Sequence, residues 1–198
     1  MQNFDNINEV IKHYNTLKGK NLLEIKDISK KMYPEINLTP NKGIVGQIFE
    51  AYIGRKPNSN PNPDIENLNV ELKVMPIRKI GMQPSQPKER SKIKSINYKT
   101  IINETWQTSD VKKKIDNIIF FVYEHPTGST YDDINKFIFR GVLHYNLNSL
   151  AQDSIQIEND WSIIKEKVQN EIAHELSESN GKFLGASTSG TGKMVKIW

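Results

Sequence analysis

Six consecutive apolar residues, Ile118-Ile119-Phe120-Phe121-Val122-Tyr123, form the most apolar run in this 198-residue chain. Crossing a bilayer takes about 20 apolar residues, and no stretch approaches that. The run reads instead as a central buried strand, apolar on both faces and therefore covered on both. Helices are expected around it from the 3.6-residue period, over about Asn6–Leu17, Leu22–Met32, Lys42–Ile53 and Ile155–Glu178. Gly19, Pro34 and Gly54 stop the first three. Further strands are expected over Leu68–Met75, ended by Pro76, over Ile93–Ile102, and over Lys136–Asn146 with a bulge near Gly141. Thr105–Asp110 reads as a loop and N-cap opening a short basic helix through Lys114. Arg55–Pro63 is a Pro/Asn-rich loop, and Gly81–Pro87 a flexible one. From Ser179 onward the Gly, Ser and Thr content is that of a tail. The fold class is α/β (α+β), a small mixed sheet flanked by helices, and the length suits one domain, 1–198, with a real core.

The chain has no cysteine, which excludes disulfide frameworks, thiol nucleophiles and cysteine-held zinc. Met1–Asp5 lacks the basic start and long apolar run of a signal peptide, so the expected address is the cytoplasm, with no membrane partner. Net charge is +4 with a pI near 9.0. The positive charge is clustered: Arg78-Lys79, Lys88–Lys94 and Lys112-Lys113-Lys114 all fall between the expected strand Leu68–Met75 and the apolar run at Ile118, a pattern suited to a phosphate backbone.

Leu68–Met75 alternates apolar and polar residues, the period of a half-buried strand. Val70, Leu72 and Val74 fall on one face, with Glu71 and Lys73 together on the other, expected to face solvent. Asp64, seven residues before Glu71 and behind the turn formers Asn62 and Pro63, is near enough to bring its carboxylate to that face. Two carboxylates and a lysine at a strand edge suit a hard cation. The carboxylates hold Mg²⁺ through oxygen and leave room for waters and a phosphate; the lysine orients or deprotonates an attacking water. A Glu and a Lys two apart are also the ordinary pattern of a solvated face, so the pair gains weight only from its company. Glu50 lies off the apolar stripe of its helix, Ile44, Val45, Ile48, Phe49 and Tyr52, which leads directly into this unit. Two other motifs fail. Ser187–Met194 resembles a phosphate-binding loop but lacks its first glycine and the hydroxyl after the lysine. His174–Glu178 begins like a zinc-protease motif but has Glu178 where the second histidine belongs.

Several blocks in matched order resemble one family. Lys42–Glu50, Pro63-Asp64, Val70–Pro76 and Thr105–Lys114 resemble the catalytic core of MutH, the strand-nicking endonuclease of bacterial mismatch repair, whose relatives include type II restriction endonucleases cutting GATC. Lys88-Glu89-Arg90, Ile96-Asn97-Tyr98 and Ala173–Glu178 look closer to the restriction-enzyme branch. The resemblance implies a PD-(D/E)xK fold and Mg²⁺-dependent hydrolysis of double-stranded DNA at a short palindromic site, GATC being favoured, by a type II site-specific deoxyribonuclease. By position, Asp64 and Glu71 would ligate the metal and Leu72 would offer its carbonyl. Lys73 would orient or activate the water, Glu50 would complete the acidic cluster, and Lys114 matches a family lysine near the scissile phosphate. Lys42, Lys88, Arg90, Lys92, Lys112, Lys113 and Lys193 are the expected DNA contacts. Where MutH carries Arg-Pro-Lys in a C-terminal loop, this chain has Ser187-Thr188-Ser189, with Lys193 farther on. The family's last basic, aromatic segment does not follow, so the chain is expected to be the N-terminal part of a longer enzyme. A further C-terminal domain or a second copy would then serve double-strand cleavage. The alternatives are a MutH-like nickase and a non-catalytic DNA-binding module of the same fold; the joint presence of Glu50, Asp64, Glu71 and Lys73 argues against the latter.

Overall fold

The apolar run forms an inner strand of a four-stranded sheet. A computed structural model describes residues 2–56, 62–79, 82, 84–149, 151–189 and 192–197, with the backbone alone for 188–189 and 192–197. Most of the expected Pro/Asn-rich loop, residues 57–61, lies outside the described residues, as do residues 80, 81 and 83 of the loop after the strand. The chain divides into two compact units, Met1–Lys88 with Ile119–His144, and Glu89–Ile118 with Tyr145–Trp198. Among the described residues no helix is long and apolar enough to cross a membrane.

The first unit holds α1 (Ile7–Asn15), α2 (Leu22–Met32) and α3 (Ile44–Tyr52), followed by β1 (Glu71–Arg78) and β2 (Gln86–Pro87). Strands β4 (Asn117–Glu124) and β5 (Ile138–Asn146) complete its sheet in the order β2-β1-β4-β5. Helices α1 and α2 start where short polar side chains accept a backbone N–H: Asn6 from Glu9, and Asn21 from Glu24 in a reciprocal capping box. Their apolar faces meet the sheet through rings. Phe49 of α3 stacks on Phe121 of β4 at 4.3 Å, and Tyr14 of α1 lies 4.5 Å from Phe121. Burying each such side chain contributes about 2–3 kcal/mol. The fully buried Tyr14 hydroxyl donates to the Phe49 carbonyl at 2.9 Å, so the packing leaves that polar group satisfied.

Strand β1 departs from expectation at both ends. Glu66–Leu68 is a 3-10 turn and Asn69 is left-handed at φ 52°, so the alternation of Leu68-Asn69-Val70 belongs to a turn and the strand begins at Glu71. Nor does Pro76 end it. The Pro76 carbonyl accepts from Lys88 N–H at 2.8 Å, on the side of the two-residue β2, while the next carbonyl, Ile77, accepts from His125 on the other side. A proline's missing donor costs little beside so short a partner.

The second unit holds β3 (Ser91–Ser95), α4 (Tyr98–Ile101), α5 (Asp110–Ile115), α6 (Ala151–Gln169), β6 (Leu184–Ser189) and β7 (Gly192–Ile197). The stretch Ile93–Ile102 is not one strand: it breaks after Ser95, and the Asn97 side chain caps α4 by accepting from Lys99 N–H. Helix α6 stops at Gln169 rather than Glu178. Glu171 takes φ 61°, and the N–H groups of Glu171 and Ile172 close back on Val168 and Lys167 as at a glycine-ended helix. A glutamate in that place gives no stop signal in the sequence. The expected tail is instead structured: β6 and β7 pair antiparallel, and β7 pairs antiparallel with β3. Asp160 of α6, 1% exposed, anchors it by accepting from the N–H groups of Phe183 at 2.8 Å and Leu184 at 2.9 Å. At Gly185 an added Cβ would lie 2.5 Å from the Arg90 guanidinium, so this glycine serves close approach rather than flexibility.

Candidate active site

The site grows from the end of α3. Gly54 adopts φ +76°, its N–H donates to the Ala51 carbonyl at 2.9 Å, and the Arg55 N–H donates to the Glu50 carbonyl at 3.0 Å. This closing turn sends Arg55 back over the last turn of the helix. Its guanidinium is 2.8 Å from one carboxylate oxygen of Asp64, donates to the Asp64 main-chain carbonyl, and holds Nε 3.7 Å from Glu50 Oε2. The second Asp64 oxygen accepts from the Leu72 N–H at 2.8 Å. A bridge between Ile65 and Val70 brings Asp64 to the start of β1. Asp64 is thus fixed between an arginine and the backbone of the strand that carries Glu71 and Lys73.

The face of β1 expected to be solvated is covered at Glu71. Glu71 is 5% exposed, as deeply buried as Leu72 on the opposite face at 7%, and its Oε1 takes the Lys73 ammonium at 2.8 Å. A carboxylate buried this far requires charge and hydrogen-bond partners. Two-residue alternation tells which residues share a face; it does not tell whether that face is covered.

Three carboxylates here outnumber two cations, Arg55 and Lys73. Burial first, then the Asp64 charge, push Glu50 up to about 7, with Arg55 and Lys73 opposing. Asp64 is raised as well, by burial and then by Glu71, against the Leu72 N–H and Arg55. Such a surplus of oxygen-borne negative charge fits a hard divalent cation. Among the described residues no three His, Cys, Asp or Glu side chains already form a cage for one. Mg²⁺ asks for less: one or two carboxylates, waters and substrate phosphate.

The remaining sequence candidates fall into three groups. Lys42 and Lys92 are exposed. Lys88, Arg90, Lys112 and Lys113 have internal partners: Lys88 lies 3.1 Å from buried His125 Nε2, Arg90 donates to the Glu178 carbonyl, Lys112 pairs with Asp116 at 2.7 Å, and Lys113 faces Asp110 at 3.5 Å. Lys114 stands half-buried on α5 in the second unit, and Lys193 has its backbone in β7 and its side chain outside the description. Sequence reasoning missed Arg55. Its signal is positional: an arginine directly after a helix-ending glycine, five residues past a helical glutamate.

A family model described as the DNA mismatch repair enzyme MutH matches residues 53–160, more than half of the chain. The chain belongs to the MutH family. The matched span includes Arg55, Asp64, Glu71, Lys73 and Lys114 and begins three residues after Glu50. The MutH domain carries the PD-(D/E)xK type of fold, in keeping with the α/β architecture found here. The type II restriction enzyme Sau3AI of Staphylococcus aureus is 31% identical over 172 residues, covering 87% of this chain and 33% of that protein. The mismatch repair protein MutH of Haemophilus ducreyi is 30% identical over 173 residues, covering 87% of this chain and 71% of that one. MutH of Actinobacillus pleuropneumoniae serotype 5b is 27% identical over 177 residues. The chain therefore spans about a third of the restriction enzyme and nearly three quarters of the MutH proteins.

Proposed function

We propose that this chain is the Mg²⁺-dependent endonuclease domain of a type II restriction enzyme, cutting double-stranded DNA at a short palindromic site, GATC being the favoured one. The observation that carries the reading is Asp64, held by the Leu72 N–H on the strand where buried Glu71 grips Lys73, amid surplus negative charge. Asp64 and Glu71 would hold Mg²⁺ together with the Leu72 carbonyl, with Glu50 beside them. Bound there, the cation supplies Lewis-acid neutralisation of the charge that builds on the phosphate. Lys73, kept in place by Glu71, orients the attacking water and adds positive charge where the oxyanion develops. Lys114 takes the neighbourhood of the scissile phosphate, and Lys42, Lys92 and the other basic residues of the set give salt-dependent phosphate contacts. The setting is the cytoplasm, and double-strand cutting would draw on a further domain or a second copy.

The similarity to Sau3AI favours the restriction branch, and the MutH matches keep strand nicking as the second reading. A short duplex carrying one GATC, incubated with Mg²⁺ and mapped at both strands, separates them. Cuts in both strands at GATC are expected. A nick confined to one strand selects the repair-type reading, and cuts independent of GATC overturn the assigned site.

A further inference from the structure

We propose that Arg55 is a positioning residue for the divalent-cation site, fixing the Asp64 carboxylate in its ligating orientation; this rests on the endonuclease reading above. The arginine is anchored at both ends. Its own N–H closes the turn onto the Glu50 carbonyl at 3.0 Å, and its guanidinium reaches both the main-chain carbonyl and the carboxylate of a single residue, Asp64. A planar fork referenced to the peptide and the side chain of one residue sets that side chain's rotation, which a point charge does not do. Each carboxylate oxygen has two acceptor positions. The Leu72 N–H takes one on Oδ2 and the Arg55 guanidinium is ion-paired with Oδ1, so both oxygens keep acceptor capacity for a cation. The arginine's own allegiance is one-sided: Nε, 3.7 Å from Glu50, has no hydrogen-bond partner, while the terminal nitrogens are committed to Asp64. With the Arg55 side chain 10% and that of Asp64 14% exposed, the pair is little screened by water.

A guanidinium beside a cation site has two possible consequences, of opposite sign. As a mere counter-charge it competes, and its loss tightens cation binding. As the holder of Asp64 it prepares the ligand, and its loss weakens binding; groups hydrogen-bonded to metal ligands are commonly worth 10–100-fold in affinity. The fork-and-carbonyl geometry favours the second.

Calorimetric titration of Ca²⁺ into the whole chain, without DNA, tests this in wild type, Arg55→Lys and Arg55→Gln, with folding checked by circular dichroism. Both variants should bind roughly 10–100-fold more weakly, the lysine included, since it restores charge without the fork. Unchanged or tighter binding in either folded variant overturns the proposal, as does full recovery by lysine. In wild type, the Arg55 guanidinium N–H signals in nuclear magnetic resonance spectra should stay protected from solvent exchange when Ca²⁺ is added. Their release on cation entry would mark a competitor and overturn the proposal without any substitution. Failure of the wild type itself to bind Ca²⁺ would overturn the preformed cation site that Arg55 is proposed to hold, while Mg²⁺-dependent cleavage of plasmid tests the endonuclease reading on which this one stands.

Discussion

At the scale of single residues, the site is defined by carboxylates placed where water cannot fully serve them. Lys73 is the ammonium at Glu71, and that carboxylate is buried. Lys73→Met therefore should cost stability as well as activity, roughly 1–3 kcal/mol, below the range for a fully buried pair because Lys73 keeps some exposure. Urea unfolding measures it, and an unchanged midpoint would contradict the burial argument. Glu50 gives a pH test. Its folded value, about 7, lies above its ordinary 4.5, so the neutral acid contributes stability that is fully present below the lower value and is lost as pH rises through the upper one. Glu50→Gln stays neutral throughout. The variant should match wild type near pH 4.5 and gain on it up to about pH 8 in thermal melts; parallel curves would contradict the assignment. The meeting of Asp64, Glu71 and Lys73 was legible in the sequence, because the two-residue period of a strand and the turn before it bring those side chains to one edge. The burial of Glu71 was not, since period alone cannot say what covers a face. The role of Arg55 was hidden too, because it depends on a turn that folds the chain back on itself.

At the scale of elements, the helices were the most legible part. α2 runs over the expected Leu22–Met32, and Asn6, Asn21, Gly19 and Gly54 mark boundaries through caps and stops written in the sequence. Errors arose where a residue did another type's work: Glu171 took the left-handed place usually held by glycine, Pro76 sat inside a strand, and Asn69 turned within an alternating run. Gly54 is the element-level hinge of the candidate site. At φ +76° any side chain is strained, and an added Cβ would stand 2.6 Å from the Tyr33 ring. Gly128, at φ +79°, has open space around it. Gly128→Ala should then cost about 1–2 kcal/mol, the backbone term alone, and Gly54→Ala clearly more. Chemical denaturation of the two variants gives the comparison, and equal losses would show that the Tyr33 approach is relieved at no cost.

At the scale of the whole molecule, the fold class was legible from one apolar run and a set of amphipathic helices, whereas the second sheet was not. Its strands β6 and β7 come from a stretch rich in Gly, Ser and Thr that lacks a sustained alternating pattern, and what organises it is Asp160 receiving two backbone N–H groups from 23 and 24 residues away. The basic clusters were legible as charge but not as available charge. Lys112 carries its own aspartate, whereas Lys92 is exposed. The salt dependence of DNA binding should therefore lose about 0.9 in log–log slope, the share of one phosphate contact, in Lys92→Ala and stay nearly unchanged in Lys112→Ala. Equal changes would mean that DNA breaks the Lys112–Asp116 pair. The central claim is that Asp64, against β1, is the heart of a Mg²⁺-dependent DNA-cutting site. Supercoiled plasmid incubated with Mg²⁺ and either the wild-type chain or Asp64→Asn tests it most directly. Discrete cuts that require Mg²⁺ and vanish in the folded variant are expected; equal cutting by the variant, or no Mg²⁺-dependent cutting by the wild type, would rule out this role for Asp64.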